Sequence, residues 1–249
     1  MAEQASISAW RNPKFLNSYF GCVTISTDDV HYAYDYPGER SLRLLGDVSG
    51  KEALEIGCGR GENSIALAKM GARPTGIDIS PEMLSRSAEK AENEGIHLHL
   101  VQMRAEDIGR LEPDFDVAVS AYVLDYVSEP GEVFEGAAKI LRPGGLLVFS
   151  HCHPCQMPTS ASEERGTFYT EGEWPGTGEL VRNYFHPTER EIRLLEDAGF
   201  AVETIEATTP VNPSERWLSA CPYRTPFHSG YEIEGGNMPH TIIYRAARI

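Results

Sequence analysis

The sequence predicts an α/β fold in which a doubly wound parallel sheet carries helices on both faces and an irregular lid. Two observations support this prediction. Between residues 51 and 150, short apolar runs alternate with longer helical stretches, and a glycine-rich turn joins the first apolar run directly to a helix. Alternation of this kind is typical of parallel strands joined by crossover helices. The 249 residues suffice for one domain with a sizeable core.

The elements of this region follow from their apolar runs and from the residues at their boundaries. Strands are predicted at Glu52–Ile56, Pro74–Ile77, His97–Val101, Phe115–Ser120 and Leu146–Ser150. Helices are predicted at Glu62–Met70, Pro81–Glu94 and Gly131–Leu141. Residues 80–83 supply a capping serine, a proline at the first helical position and an acidic first turn. Residues 142–145, with two glycines, are expected to turn the chain into the next strand.

The periodic pattern ends after residue 150. Further elements are a helix at Thr188–Ala198, a strand at Phe200–Glu206 and a last strand at Thr241–Ala246. Residues 151–186 and 207–239 lack clear periodicity, and irregular segments of this length are usually functional in a compact domain. We interpret them as a lid over the strand ends, with passive surface loops as the alternative. The single domain 1–249 would then consist of an N-terminal cap (1–45), a ligand-binding core (46–150) and these two lid insertions.

The charge balance restricts the partners of the protein. Lys and Arg number 22 against 37 Asp and Glu, a formal net charge of −15. A field of this sign repels phosphate backbones and anionic lipids, which disfavours nucleic acid and membrane partners. No secretory signal and no apolar run long enough to cross a bilayer are recognised. The five cysteines are odd in number and sparse, so reduced thiols in the cytoplasm are the simplest interpretation.

The glycine-rich turn is the strongest motif of the chain. It occupies residues 54–63, with the sequence LEIGCGRGEN, and places Gly57, Gly59 and Gly61 between a strand and a helix. Glycine allows backbone angles that other residues resist and lets a ligand approach the main chain closely. The spacing Gly-x-Gly-x-Gly differs from the Gly-x-Gly-x-x-Gly of dinucleotide-binding folds. Glu55 and Glu62 flank the turn, so its charge opposes a phosphate and favours a cationic ligand.

Asp78 is the expected partner of this turn. It lies 21 residues after Gly57, at the end of the second predicted strand. In open α/β sheets, ligands bind beyond the carboxyl ends of the strands, and an acid placed there can accept both hydroxyls of a ribose. An isolated aspartate at this position is more often a helix cap. Together with the glycine turn, Asp78 predicts a nucleoside ligand.

These residues resemble class I S-adenosylmethionine-dependent methyltransferases over about residues 40–150. Residues 55–61 resemble the family's first motif and Asp78 its second. Residues 104–107 resemble the segment that meets the adenine, residues 115–120 the fourth-strand motif, and residues 141–146 the turn into the fifth strand. The resemblance implies a Rossmann-like sheet with strand order 3-2-1-4-5-7-6, in which strand 7 is antiparallel. One departure is the segment 124–127, where many relatives carry paired histidines.

The resemblance also implies a cofactor and a set of residues that would bind it. The cofactor would be S-adenosyl-L-methionine, with S-adenosyl-L-homocysteine as the product. The residues implied as cofactor-binding lie in these motifs: Glu55, Gly57, Cys58, Gly59, Asp78, Ile79, Met83, Ala105, Glu106 and Ser120.

The acceptor side is predicted from histidines and aromatic residues beyond the strand ends. The candidates for catalysis are His153, as base or substrate ligand, and Tyr126. The candidates for substrate contact are Tyr19, Trp174, Tyr184 and His151. Further aromatic and histidine residues that could line a pocket are Phe20, Tyr32, Tyr34, Tyr36, Phe185, His186, Trp217, Tyr223 and His228. For each aromatic residue, packing in the core or the lid is the alternative interpretation.

The histidines and cysteines after residue 150 do not predict a metal site. His151, Cys152, His153 and Cys155 are close in sequence, but structural zinc sites usually join two separated ligand pairs. The later cysteine and histidine residues fit such a second pair only loosely: Cys221, His228 and His240. The prediction is therefore a site without metal.

Taken together, the motifs predict methyl transfer from S-adenosylmethionine to a small-molecule acceptor, such as a natural-product intermediate, by a monomer or homodimer. The sequence leaves open whether oxygen, nitrogen, sulfur or carbon is methylated. The alternatives are a non-catalytic sensor that binds S-adenosylmethionine, an RNA-modifying methyltransferase, and a nicotinamide-dependent oxidoreductase, which the glycine spacing opposes.

Overall fold

A seven-stranded sheet organises the protein. The structure is a computed structural model that describes residues 8–20, 25–33, 36–112, 114–157, 159–174, 176–208 and 239–249. In the order β3-β2-β1-β4-β5-β10-β9, the strands of this sheet are His99–Gln102, Arg73–Asp78, Glu52–Ile56, Phe115–Ala121, Leu141–Cys152, Thr241–Arg248 and Phe200–Thr208. Strand β10 is antiparallel to both β5 and β9, whereas β1 to β5 pair in parallel. The predicted strand order is confirmed, with β9 and β10 as the sixth and seventh strands.

The described helices flank this sheet. They are α1 at Pro13–Phe20, α2 at Glu39–Leu42, α3 at Glu62–Lys69, α4 at Pro81–Asn93, α5 at Pro130–Ile140 and α6 at Thr188–Asp197. Short 3-10 helices occupy Ala105–Arg110, Leu124–Tyr126 and Pro154–Gln156. The predicted start of α4 is confirmed: the hydroxyl of Ser80 accepts the backbone N–H of Met83, and Pro81 begins the helix. No helix among these residues is long and apolar enough to span a membrane.

Strand β5 is longer than predicted because it absorbs the expected turn. Its pairing with β4 passes from Leu141, opposite Phe115, to Leu146, opposite Val117. The intervening residues 142–145 form an irregularity in which Gly144 has a φ of +76°. Residues 142–145 therefore contain the predicted turn residues, but they interrupt a strand instead of preceding one.

The first predicted lid segment is largely regular, which corrects the expectation of an irregular segment at 151–186. Three antiparallel strands form a second sheet, with β6 at Ser162–Glu164, β7 at Thr167–Glu173 and β8 at Leu180–Phe185. The burial of side chains does not alternate along β8, whose last three residues are all buried. Because both faces of this strand are covered, the period-2 signal of a half-exposed strand is absent. Residues 209–238 of the second lid segment lie outside the described residues.

Among the described residues, buried side chains form three clusters. Each face of the main sheet carries one: Leu54 and Phe149 pack with α5 and α6 on one face, and Val119 and Val148 pack with α3 on the other. The third cluster lies beyond the carboxyl ends of the strands, and we call it the edge cluster. It comprises Ala9, Phe15, Leu16, Met83, Tyr122, Cys152, Trp174 and Val181, with Trp10, Ala121 and Tyr126 packed against it. The edge cluster therefore joins α1 and the second sheet to β4, β5 and α4.

Candidate cofactor and acceptor site

The glycine turn has the left-handed backbone that its sequence predicts. Gly57, Gly59 and Gly61 have φ values of +69°, +51° and +81°, a region that residues with a Cβ rarely adopt. At two of these positions a Cβ would also collide with neighbours, Val123 at Gly57 and Ser87 at Gly61. Glycine is therefore required here for the path of the turn as well as for access to its backbone.

Two hydrogen bonds tie the turn to β2. The backbone N–H of Cys58 donates to the carbonyl of Ile77 at 2.8 Å, and the N–H of Gly59 donates to Oδ2 of Asp78 at 2.9 Å. The other carboxylate oxygen of Asp78 accepts the N–H of Ser80 at 2.8 Å. The sequence-predicted partners are thus brought together, with Asp78 half-buried beside the loop. Each oxygen retains a second lone pair for a ligand hydroxyl.

Glu55 supplies the electrostatic character of the loop. Its side chain is buried, and its carboxylate accepts a hydrogen bond from Ser64. Burial, reinforced by the charges of Glu62 and Asp78, raises the pKa of Glu55 to about 8. A buried acid in this state gains from a nearby positive charge, because the charge stabilises its ionised form.

The role expected of Glu62 requires correction. Its Oε1 pairs with Lys90 at 2.6 Å and with Arg60 at 2.9 Å, so two cations compensate its charge. It therefore adds less to the selection of a cationic ligand than its position at the start of α3 suggested. The preference of the loop for a cationic ligand therefore depends on Glu55 and Asp78.

The predicted adenine segment lies against the end of β2. The N–H of Met103 donates to the carbonyl of Asp78 at 3.0 Å, and the side chain of Gln102 donates to the carbonyl of Ile79 at 3.3 Å. Ala105 then begins a 3-10 helix, in which Glu106 pairs with Arg104 at 2.7 Å. The structure thus brings the residues predicted for adenine and ribose to neighbouring strand ends.

Ser120 and Met83 complete this edge. Ser120 is 1% exposed and lies in β4 between Ile56 of β1 and Phe149 of β5. Its hydroxyl has no hydrogen-bond partner among the described residues. A buried hydroxyl without a partner is costly, so its presence here is consistent with a polar ligand. Met83 turns its side chain into the edge cluster.

Two of the predicted acceptor residues meet in the edge cluster. The indole N–H of Trp174 donates to the hydroxyl of Ser18 in α1 at 3.1 Å, and its ring packs edge-on against Phe15 with centroids 5.1 Å apart. Tyr126 packs in the same way against Trp10 at 4.8 Å. These rings form an aromatic assembly over the carboxyl ends of β4 and β5.

His151 and Tyr184 are placed elsewhere, against the expectation of substrate contact. His151 is fully buried, and its Nε2 lies 3.0 Å from Oε1 of Glu191 in α6, which also accepts the phenol of Tyr244 at 2.6 Å through Oε2. Glu191 outweighs the effect of burial and raises the pKa of His151 to about 9. Tyr184 is 4% exposed and stacks on His186. Both side chains are buried: the imidazole of His151 is paired with Glu191, and the ring of Tyr184 packs against His186.

The geometry of His153 also argues against the role of a base. Its Nδ1 accepts the backbone N–H of Cys155 at 3.1 Å, and burial lowers the pKa of the ring. A neutral imidazole that accepts at Nδ1 carries its proton on Nε2. Neither nitrogen then offers a lone pair to a substrate proton.

The remaining sequence predictions concern a metal site and residues that the structure does not describe. No group of three or more metal-ligating side chains occurs within the described ranges. Tyr19 lies in α1, but its side chain is outside the described part of the chain, as are those of Phe20 and Tyr34. Trp217, Tyr223, His228, Cys22 and Cys221 also lie outside it.

Sequence reasoning missed a polar group at the edge of the sheet. Tyr122 follows β4 with a φ of +56°, and its hydroxyl lies 2.5 Å from Oγ1 of Thr241. Nδ1 of His240 lies 3.3 Å from the same Oγ1. A tyrosine next to a fourth-strand motif was the only local signal, because Thr241 is 119 residues away in the chain.

Comparisons with known proteins agree with this geometry. Residues 54–149 match the family model described as a methyltransferase domain. A ubiquinone biosynthesis O-methyltransferase of Aeromonas salmonicida is 38% identical over 106 residues, which are 42% of this chain and 44% of that protein. The chain thus spans less than half the length of the ubiquinone relatives that it matches.

Two solved structures extend the comparison to most of the chain. An S-adenosylmethionine-dependent methyltransferase of Mesorhizobium loti has a TM-score of 0.59 and 26% identity, covering 83% of this chain and 94% of that one. The 4+2 cyclase SpnF has a TM-score of 0.63 over 100% of this chain and 96% of that one, but its 19% identity shows a shared fold alone. Residues 54–149 are a class I S-adenosylmethionine-dependent methyltransferase domain, a class whose cofactor is S-adenosylmethionine.

The residues at the strand ends fit this cofactor. The unpartnered hydroxyl of Ser120 and the buried acid Glu55 suit a ligand that carries both polar atoms and positive charge. The left-handed turn leaves no side chain at Gly59, and Asp78 lies beside it.

Proposed function

We propose that the protein transfers a methyl group from S-adenosylmethionine to a small-molecule acceptor. The observation that carries the proposal is the pairing of a left-handed glycine turn with Asp78 and with the buried acid Glu55 at adjacent strand ends. Glu55 would balance the positive charge of the methionine moiety, Asp78 would accept the ribose hydroxyls, and backbone N–H groups of residues 57–61 would meet the carboxylate.

When bound, the cofactor supplies a methyl group that its sulfonium has already activated. The protein therefore has to align the acceptor with this methyl group and exclude water. The edge cluster supports this role, because Trp174 and Tyr126 cover the strand ends with apolar surface. Aromatic walls of this kind suit a flat, uncharged or cationic acceptor.

Two observations support a small acceptor over RNA. The net charge of −15 opposes the binding of a phosphate backbone. The relatives matched over residues of the core are named as ubiquinone biosynthesis O-methyltransferases, which act in the synthesis of a small molecule. We place the protein in the cytoplasm, a proposal supported by the free thiols of Cys58, Cys152 and Cys155.

Calorimetry and a methyl-transfer assay test the proposal in sequence. S-adenosylhomocysteine should bind the wild type, whereas NAD should not, and Asp78→Ala should weaken binding. A panel of small hydroxyl, amine and thiol acceptors is then incubated with the methyl-labelled cofactor, and the products are detected by mass. Lack of S-adenosylhomocysteine binding would refute the cofactor assignment. Binding without transfer to any acceptor would favour the sensor alternative.

A further inference from the structure

We propose that Tyr122, Thr241 and His240 form a proton relay that deprotonates a hydroxyl acceptor. The inference rests on the proposed function and extends it, because it assigns the acceptor atom as the oxygen of a neutral hydroxyl group. Its basis is a continuous line of three hydrogen-bonding side chains, 2.5 Å from Tyr122 to Thr241 and 3.3 Å from Thr241 to His240.

The line begins where an acceptor has to lie. Tyr122 is the second residue after Ser120 and belongs to the edge cluster with Met83 and Trp174. Ligands of open α/β sheets bind beyond the carboxyl ends of the strands, and Tyr122 follows β4 at that edge. Its side chain reaches past the end of β5 to Thr241, the first residue of β10, which pairs with Cys152.

The backbone of Tyr122 indicates that its position is maintained at a cost. A φ of +56° is unfavourable for a residue with a Cβ by roughly 1–2 kcal/mol. The conformation is held by the N–H of Tyr122, which donates to the carbonyl of Ser150 at 2.8 Å, and by the contact between its phenol and Thr241. Such strain persists at functional sites when the surrounding structure imposes it.

The far end of the line is equally well positioned. Thr241 is 1% exposed, and valine would fill the same volume without a hydroxyl. The carbonyl of His240 accepts the N–H of His153 at 2.9 Å, which fixes the backbone beside the ring. Burial lowers the pKa of His240 to about 4, so its imidazole is neutral near neutral pH, and one ring nitrogen has a lone pair that can accept a hydrogen bond from Thr241.

The proposed step conserves atoms and charge. A lone pair of the acceptor oxygen forms the bond to the methyl carbon, and the electrons of the breaking carbon–sulfur bond return to sulfur, which becomes neutral. The acceptor's proton moves to the phenol oxygen of Tyr122, the phenol proton to Thr241, and the threonine proton to Nδ1 of His240, which becomes an imidazolium and later releases a proton to water. An oxygen that gains a methyl group while still protonated is strongly acidic, so even a weak base can accept its proton.

The direction of the hydrogen bond between Thr241 and His240 can be measured without an acceptor substrate. In protein with 15N-labelled histidine and bound S-adenosylhomocysteine, Nδ1 of His240 should be unprotonated and Nε2 protonated, with His240→Gln used for assignment. Thr241→Val should shift the Nδ1 resonance, and Thr241→Ser, which keeps the hydroxyl, should not. A protonated Nδ1 in the wild type would overturn the proposal, because His240 would then donate to Thr241.

Activity supplies the second test. Two phenol acceptors are compared, one protonated at the assay pH and one ionised by a nitro substituent. Thr241→Val and Tyr122→Phe should lower the rate on the protonated phenol by about 100-fold and leave the ionised phenol unaffected, whereas Thr241→Ser should retain the rate on both. Equal rates of Thr241→Val and wild type on the protonated phenol, or equal losses on both phenols, would overturn the relay alone. If the wild type methylates neither these phenols nor any other hydroxyl acceptor, the relay is overturned. If it also methylates no amine or thiol acceptor, the proposed function fails as well.

Discussion

The buried acid Glu55 makes cofactor binding dependent on pH. Without a ligand its pKa is about 8, because the side chain is buried and close to Glu62 and Asp78. A bound ammonium or sulfonium should lower this pKa, since an opposite charge stabilises the carboxylate. Binding near pH 7 should therefore release a proton, which Glu55→Gln cannot do.

The magnitude follows from the pKa of the free site. At pH 7, ionising a carboxyl group of pKa about 8 costs about 1.4 kcal/mol, which is a factor of about ten in affinity. Affinity for S-adenosylmethionine should rise by about tenfold per pH unit as pH increases from 6 towards 8, as long as the bound pKa lies below this range. In Glu55→Gln this part of the pH dependence should vanish.

Calorimetry can count the proton directly. Titrations at pH 7 in phosphate and in Tris, whose ionisation enthalpies differ, should show release of about one proton by the wild type and by the control Glu52→Gln. Glu52 lies on the same strand and pairs with Arg73 at the surface, so its removal should leave the binding site intact. Equal heats in both buffers for the wild type, or the same proton release from Glu55→Gln, would refute the reasoning.

Three further predictions concern the cradle and the core. Asp78→Ala should weaken S-adenosylhomocysteine binding at least tenfold by calorimetry, as two hydrogen bonds are lost; unchanged affinity would contradict its role. Gly61→Ala should lower the free energy of unfolding in urea by more than about 1 kcal/mol because φ at this position is +81°. Adding Ser87→Gly to this variant should remove the collision with the new Cβ but not the unfavourable φ, so stability should return only in part. Full recovery of stability in the double variant would show that φ is unimportant. Glu191→Gln should lower the free energy of unfolding by roughly 3 kcal/mol at pH 6. The pKa of His151 is about 9 in the folded protein, so the ion pair with Glu191 stabilises the fold fully below about pH 6.5, the pKa of an unfolded histidine. This stabilisation is lost as the pH rises through 9. A loss that is independent of pH, measured against the exposed control Glu189→Gln, would show that this pair is not ionised.

Local patterns predicted most of the core because each depends on residues close in sequence. The start of α4 needs only Ser80 and Pro81, and the turn of the glycine motif needs only the spacing of Gly57, Gly59 and Gly61. The second sheet was missed for a related reason. Its strand β8 is covered on both faces, and a period-2 pattern reports only a strand with one exposed face.

The acceptor side could not be predicted residue by residue. His151 is the penultimate residue of β5, and its sequence position is equally compatible with the cleft and with the interior. Its partner Glu191 is 40 residues away, and only the packing of α6 on the sheet brings the two together. In the same way, a tyrosine next to the fourth strand gave no indication that Tyr122 would meet Thr241, which is 119 residues away in the chain.

The sequence by itself determined the class of fold and the left-handed glycine turn beside Asp78, since a strand, a turn and a following acid carry their geometry locally. The order of the strands came from the resemblance of these motifs to a known family. The tertiary structure alone decided which histidines face the interior, which aromatic rings cover the strand ends and which polar atoms form a line at the edge. These outcomes depend on contacts between distant segments, and the energy of such contacts is set by burial and by the nearest charge, neither of which is written in a local pattern.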